Sequence, residues 1–174
     1  MNWRELIRSE IETTYKVTNG LLDFVDEDSL DWKPSTENNW MTMGQLLMHI
    51  TNGCGAAMRG FVTGDWGLPE GMDFSELSPE EMLPPAEKLP TIGSVIETKE
   101  LLAKDKEIAL DMLEECDDDK LANEKVSAPW DPTKKNLGYW LLEMVAHLNQ
   151  HKGQLFYYLK LLGKPVNTSH LYGM

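Results

Sequence analysis

The segment 136–162 constrains the fold most, because it repeats apolar side chains at helical spacing on two stripes at once. One stripe holds only leucine and valine, at Leu137, Leu141, Val145, Leu148, Leu155, Leu159 and Leu162. The second mixes aromatic, thioether and polar side chains, at Trp140, Met144, His147, His151, Gln154 and Tyr158. A helix that is apolar on two stripes is mostly buried. The chain must therefore surround this helix with others.

Two helices are predicted in the first third of the chain. The first has one apolar stripe, at Ile7, Ile11, Tyr15, Thr18, Leu22 and Val25. The second begins at a capping box formed by Thr42 and Gln45 and runs to about Val62. Its glycines cost about 1 kcal/mol each against alanine, so a neighbouring backbone or a ligand must approach closely to offset them. They are Gly44, Gly53, Gly55 and Gly60.

A third helix begins at the capping box of Ser94 and Glu97 and ends in the acidic cluster 117–119. Residues 63–90 are rich in proline, glycine and acid, which predicts a long connection with one short helical turn after Ser78. Residues 120–135 contain two prolines and are expected to form an ordered loop. No segment has the alternation of a strand. The sequence therefore predicts an all-α four-helix bundle, with a long connection between helices 2 and 3, in one domain over 1–174.

Composition excludes several functions. The formal net charge is −13, which opposes binding to nucleic acid. No apolar run is long enough for export or for crossing a membrane, so no membrane partner is expected. The two cysteines, Cys54 and Cys116, do not form a disulfide framework and are expected to be small buried side chains. We therefore expect a cytoplasmic protein.

Three of the four histidines lie on inward stripes. His147 and His151 are four residues apart on the fourth helix, a spacing at which two imidazoles can reach one ion at about 2 Å each. His49 lies on the inward stripe of the second helix. We interpret the three as metal ligands, the alternative being ordinary core histidines. Cys54 is turned about 140° from His49 on the helix and His170 lies in the tail, so neither is expected to join them.

Three neutral imidazoles suit zinc, nickel, iron or copper, and leave at least one position open for water or substrate. Trp40, Trp66 and Trp130 are candidates to line the mouth of such a site, the alternative being ordinary packing. Glu143, one turn before His147, is expected to be a solvated helix charge. No residue stands out as a catalytic base, so no catalytic residue is predicted.

The stretch 147–154, His-Leu-Asn-Gln-His-Lys-Gly-Gln, resembles the histidine signature of the DinB and YfiT-like metalloprotein superfamily. That signature is His, three residues, His, then Arg, Gly and Gln; Lys152 replaces the arginine and loses its planar donor fork. Trp32-Lys33-Pro34, Trp40 and the stretch from Met43 to His49 resemble the family's second helix and first ligand. The resemblance implies a four-helix bundle, often dimeric, that holds a divalent ion through His49, His147 and His151.

The same superfamily includes thiol-dependent transferases and isomerases. The first hypothesis is therefore a metal-dependent thiol S-transferase, in which the open position takes a low-molecular-weight thiol that attacks a small electrophile. The alternatives are a metal-dependent hydrolase, in which the ion activates water, and a non-enzymatic metal-binding or stress-ligand-binding protein.

Overall fold

The computed structural model describes residues 2–36, 39–68, 77–82 and 84–174. Its elements, in chain order, are α1 (Trp3–Leu22), α2 (Met43–Ile50), α3 (Gly55–Thr63), α4 (Pro79–Met82), α5 (Val95–Glu114), α6 (Asp118–Asn123), β1 (Lys125–Ala128), β2 (Asp131–Asn136), α7 (Leu137–Leu161) and α8 (Thr168–Tyr172). Two short 3-10 turns cover Glu27–Ser29 and Ala86–Lys88. None of the described helices is long and apolar enough to cross a membrane.

The helices pack as a bundle in which α1 and α3 each contact both α5 and α7. α7 also contacts α2 and α6, and most residues of both predicted stripes are buried, although Gln154 is exposed. The core between the helices is built mainly from aliphatic side chains that are almost fully buried, among them Ile7, Ile11, Leu46, Leu47, Leu141, Leu148 and Leu155. The predicted all-α fold is confirmed, and most of its stability follows from burial of these stripes.

Side-chain caps set where the helices begin. Asn2 and Glu5 form a reciprocal capping box at α1, and Thr42 and Gln45 form the predicted one at α2. At α5, the Ser94 hydroxyl accepts a hydrogen bond from the Glu97 amide. The amide of Val95, the first residue of α5, donates to the two carboxylate oxygens of Glu27 at 3.0 and 3.2 Å. These caps satisfy amides that lack partners inside each helix.

The single second helix predicted from Thr42 to Val62 is wrong, because the chain forms two helices, α2 and α3, separated by a turn at residues 51–54. The cause is a residue distant in sequence. The buried carboxylate of Asp105, on α5, accepts hydrogen bonds from the Gly55 and Ala56 amides at 3.0 and 2.9 Å and so begins a new helix there. Gly55 is required at this point, since a Cβ would lie 2.0 Å from the Asp105 carbonyl oxygen.

The close approaches expected around the glycines are present at the ends of both helices. A Cβ on Gly44 would lie 2.4 Å from the Thr91 hydroxyl oxygen, and one on Gly60 would lie 2.2 Å from the Trp66 ring. The Gly44 carbonyl also accepts from the Ile92 amide at 3.2 Å. The end of the long connection is thereby held against α2. The predicted turn after Ser78 is α4, while residues 69–76 and 83 of the connection lie outside the described part of the chain.

The prediction that residues 120–135 form an ordered loop is wrong, because this segment has regular secondary structure. It contains the end of α6 and an antiparallel hairpin of β1 and β2, with Ala128 opposite Asp131 and the turn at Pro129 and Trp130. The strands are too short and too polar to show the alternation of apolar and polar side chains that would predict them from sequence. The Trp140 indole fixes the hairpin on α7 by donating to the Val126 carbonyl at 3.0 Å.

The acidic cluster that was expected to end the third helix instead begins α6. The Asp117 carboxylate accepts from the Lys120 amide at 2.7 Å, and the preceding helix has already ended at Glu114. An aspartate before a helix is a favourable cap, so the cluster marks a helix start more naturally than a helix end.

The C-terminal helix α8 packs on α1. Lys152, which replaces the arginine of the family signature, is 8% exposed and its ammonium group donates to the Leu171 carbonyl in α8 at 3.1 Å. His170 stays in this tail, where it pairs with Asn167 in the cap of α8 and meets the Phe24 ring edge-on at 4.9 Å. The lysine therefore connects α7 to the tail and is not directed at the histidines.

Candidate metal centre

Three histidines converge between α2 and α7. His49 lies in the last turn of α2, while His147 and His151 lie one turn apart in the middle of α7. The His147 Nε2 atom is 3.3 Å from His49 Nε2 and 2.9 Å from His151 Nε2. One nitrogen from each of the three rings lies within 4.8 Å of the others. The structure thus brings together the three residues singled out in the sequence.

The hydrogen bonds of the other ring nitrogens fix which atoms carry protons. His147 Nδ1 donates to the Gly53 carbonyl at 2.9 Å, because a carbonyl oxygen can only accept. His151 Nδ1 donates in the same way to the Gln154 side-chain oxygen at 2.7 Å. In the neutral rings, both Nε2 atoms then carry lone pairs, and these face each other across 2.9 Å. Such a contact is repulsive unless a cation lies between the two rings.

Two of the three nitrogen separations are close to those expected around a tetrahedral ion. Ligand nitrogens about 2.0–2.1 Å from zinc, at tetrahedral angles, lie about 3.3 Å from one another. The observed separations of 3.3 and 2.9 Å are close to that value. The orientation of His147 and His151 by oxygen acceptors is also typical of metal ligands. The three residues could therefore hold a divalent metal ion, and three imidazoles do not distinguish zinc from nickel, iron or copper.

Burial keeps His49 and His151 in the neutral form that binds metal. Burial, followed by the neighbouring His151 and His147, lowers the pKa of His49 to about 4. Burial also lowers the pKa of His151, against the opposing effect of its hydrogen bond to Gln154. Both rings are therefore neutral at pH 7, and no proton competes with a metal ion for their lone pairs.

The turn between α2 and α3 positions His147. A Cβ on Gly53 would lie 3.0 Å from the His49 carbonyl oxygen and 3.1 Å from His147 Cε1, so the turn and the ring are in close contact. The Asp105 carboxylate fixes the next two residues of the turn through their amides, and it also accepts from the Tyr15 hydroxyl at 2.6 Å. Burial raises the pKa of Asp105, while these hydrogen bonds oppose that shift.

Asp105 is a positioning residue that sequence analysis missed. It is only 3% exposed. A signal was available, because it follows Leu102 by three residues and precedes Ala109 by four, and so lies on the buried stripe of its helix. An acid on such a stripe needs internal hydrogen bonds.

A cavity of about 560 Å³ opens beside the histidines, with His49 and His147 in its wall. Its apolar lining consists of Ala57, Met82, Trp130, Trp140 and Met144, and its polar lining includes Asn52, Asp131, Lys135, Glu143 and Gln150. Glu143 is exposed, as expected for a solvated charge, yet it faces this cavity one turn before His147. The sequence did not predict a carboxylate there, because the hairpin and α4 that complete the cavity were not predicted in place.

The three tryptophans expected at the mouth have different positions. Trp130 lines the cavity. Trp66 packs behind it, 5.6 Å from the Trp130 ring and 4.9 Å from the Phe61 ring. Trp40 lies at a separate cavity of about 200 Å³ with Gln154, and its indole donates to the Thr36 hydroxyl at 3.0 Å.

The two cysteines lie apart from the three histidines. Cys54 is fully buried with its sulfur 3.9 Å from that of Met58, and Cys116 is buried with its thiol near the Met112 carbonyl. Burial raises the pKa of the Cys54 thiol to about 12, so it is neither a thiolate ligand nor a nucleophile at pH 7. Both match the expected small buried side chains.

Comparison with known proteins gives a family and a fold. A family model described as the DinB superfamily matches residues 10–155. A solved structure assigned to the DinB family, from Exiguobacterium sibiricum 255-15, has a TM-score of 0.66 at 18% identity and covers 98% of each chain. A DinB-like protein from Bacillus subtilis has a TM-score of 0.64 at 20% identity, covering 92% of this chain and 94% of its own. No curated protein matches the sequence.

Proposed function

This chain belongs to the DinB superfamily, and we propose that it holds one divalent metal ion through His49, His147 and His151 and transfers a small thiol to an electrophile. The observation that carries the proposal is the pair of Nε2 lone pairs that face each other across 2.9 Å at the edge of an open cavity. A closed structural site uses four protein ligands, whereas three histidines beside a cavity leave room for a substrate. We propose zinc, nickel or iron as the ion.

When bound, a divalent ion lowers the pKa of a coordinated thiol and stabilises it as the thiolate. The protein's own groups do the rest. The Glu143 carboxylate, on the cavity wall, accepts the thiol proton, while Asn52 and Gln150 supply amide groups that orient the polar parts of the thiol. The sulfur–carbon bond then forms as the leaving group departs with its electron pair. Trp130 and Met144 limit the access of water to the reacting atoms.

The test measures thiol consumption by metal-loaded protein. Cysteine is supplied with iodoacetamide and with 1-chloro-2,4-dinitrobenzene, and each rate is compared with the uncatalysed rate. We expect acceleration that disappears with a chelator and in His151→Ala. The variant His170→Ala, which changes a histidine far from the cluster, should keep full activity. The transferase would be excluded if the metal-loaded protein accelerated the reaction of no thiol, including bacillithiol-like and mycothiol-like thiols, with any tested electrophile.

Metal-dependent hydrolysis is the second candidate, and the position of Glu143 favours it. A carboxylate on the wall of the cavity could serve as the base that activates a water molecule. Turnover of ester or lactone substrates that is abolished by a chelator and by Glu143→Gln, without thiol transfer, would establish hydrolysis instead.

A further inference from the structure

The cavity beside the histidines has one strongly aromatic wall. The rings of Phe61 and Trp140 stack at 5.0 Å with an angle of 17°, and the Lys135 ammonium lies 4.1 Å from the centre of the Trp140 ring. Trp140 is only 3% exposed. Little of this ring is therefore free to contact a ligand, and Trp140 serves mainly as support for the wall.

Trp130 is the aromatic side chain of this wall that remains available. It stands at the tip of the hairpin, and the Trp66 and Phe61 rings meet it edge-on at 5.6 and 6.2 Å. It lines the cavity and keeps 39% of its surface exposed. Behind it, the other rings hold it in a fixed orientation, which lowers the entropic cost of packing a ligand against it.

The remaining lining is apolar and adaptable. Met82 and Met144 contribute thioethers, and Ala57 contributes a small side chain. Methionine side chains adjust to irregular shapes and make favourable contacts with aromatic rings. A flat apolar group can therefore lie between Trp130 and the methionines, and a volume of about 560 Å³ also leaves space for a small thiol.

The charges on the wall disfavour an anionic ligand. The only cation named in the lining, Lys135, already forms an ion pair with Asp131 at 3.2 Å. Glu143 has no ion-pair partner within the described ranges and leaves an uncompensated negative charge on the wall. In the metal-free protein, an anionic ligand would meet this carboxylate without gaining a free cation.

We infer that the cavity selects uncharged electrophiles with a flat, apolar body, and that Trp130 is the residue that determines this specificity. That the ligand reacts as an electrophile rests on the thiol transfer proposed above, whereas its flat, apolar shape follows from the lining of the cavity alone. With an aryl chloride, a carbon–sulfur bond forms, the carbon–chlorine bond breaks, chloride leaves with the electron pair, and the thiol proton passes to Glu143.

Binding is tested first, in metal-free protein, with 2,4-dinitrotoluene as a flat, uncharged and unreactive probe. Titration calorimetry should give a dissociation constant about tenfold higher for Trp130→Ala than for the parent, with Trp130→Phe close to the parent. Trp40→Ala is the matched control, since Trp40 is also 39% exposed but lies at the other cavity. Equal binding by the parent, Trp130→Ala and Trp40→Ala would overturn the inference.

Kinetics of the metal-loaded protein test the same specificity with cysteine as the thiol. Trp130→Ala should lower kcat/KM for 1-chloro-2,4-dinitrobenzene about tenfold and leave that for iodoacetamide within about twofold. In the metal-free protein, 2,4-dinitrobenzoate, an anionic analogue of the probe, should bind more weakly than 2,4-dinitrotoluene. Equal binding of the anionic and neutral probes, or an equal loss of kcat/KM for 1-chloro-2,4-dinitrobenzene and iodoacetamide in Trp130→Ala, would contradict the inference.

The two proposals fail in different ways. Probe binding that depends on Trp130, without conjugation of any electrophile, would support the assigned cavity and exclude the transferase. Conjugation that depends on the metal but not on Trp130 would support the transferase and overturn the assigned specificity.

Discussion

The depressed pKa of His49 predicts that the metal-free protein loses stability in mild acid. In the folded protein this pKa is about 4, against 6.5 for an ordinary histidine, and burial is the main cause. The unfolded chain therefore binds a proton between pH 6.5 and about 4 that the folded chain does not bind. Stability from this group is present above pH 6.5 and is lost as the pH falls through that window.

The size of the loss follows from the two pKa values. At pH 5 the unfolded ring is almost fully protonated and the folded ring is mostly neutral, which corresponds to about 2 kcal/mol relative to pH 7. This is an upper limit, because the ring is half-buried and solvent screens part of the effect. It is nevertheless a large fraction of the stability of an ordinary domain.

The assay is urea unfolding in the presence of a chelator, at pH 7 and at pH 5, for the parent and His49→Gln. Glutamine does not titrate, so the stability difference between parent and variant should fall by about 2 kcal/mol from pH 7 to pH 5. In Met48→Gln, a non-titrating change on the same helix, the free energy of unfolding should differ from that of the parent by the same amount at both pH values. A parent and His49→Gln that respond identically to pH would refute the reasoning.

Three further substitutions test the residues around the site. Asp105→Ala should lower the free energy of unfolding by about 3–5 kcal/mol, because it leaves three buried donors without an acceptor; the exposed Asp111→Ala on the same helix should change it by less than about 0.5 kcal/mol in the same urea assay. Gly53→Ala should weaken metal binding about tenfold in competitive titration, since its Cβ would lie 3.1 Å from His147 Cε1; unchanged affinity would contradict the proposed contact. Glu143→Gln should lower kcat/KM for thiol transfer at least about tenfold without changing the metal content, and an unaffected rate would exclude Glu143 as the proton acceptor.

Local patterns predicted the long helices and the convergence of the three histidines. The stripes of α1, α5 and α7 are properties of neighbouring turns, and burial of both faces of α7 follows from its own residues. The separation of His147 from His151 is likewise fixed by helix geometry. His49 could be added because its helix also has an inward face.

The missed features depend on contacts between residues distant in sequence. The break between α2 and α3 depends on Asp105, a residue of another helix. The strands of the hairpin are too short to show an alternation of apolar and polar side chains. The hairpin is fixed on α7 by the hydrogen bond of Trp140. The cavity follows from both, because the turn supplies Gly53 and the hairpin supplies Trp130. No local pattern in the sequence therefore predicts the cavity.

Metal content tests the central proposal most directly. Elemental analysis of the purified parent should find about one divalent ion per chain, and His151→Ala should retain little of it, while His170→Ala should match the parent. Equal metal content in the parent and His151→Ala, or none in a parent incubated with zinc, nickel or iron, would contradict the assignment of His49, His147 and His151 as ligands of one ion.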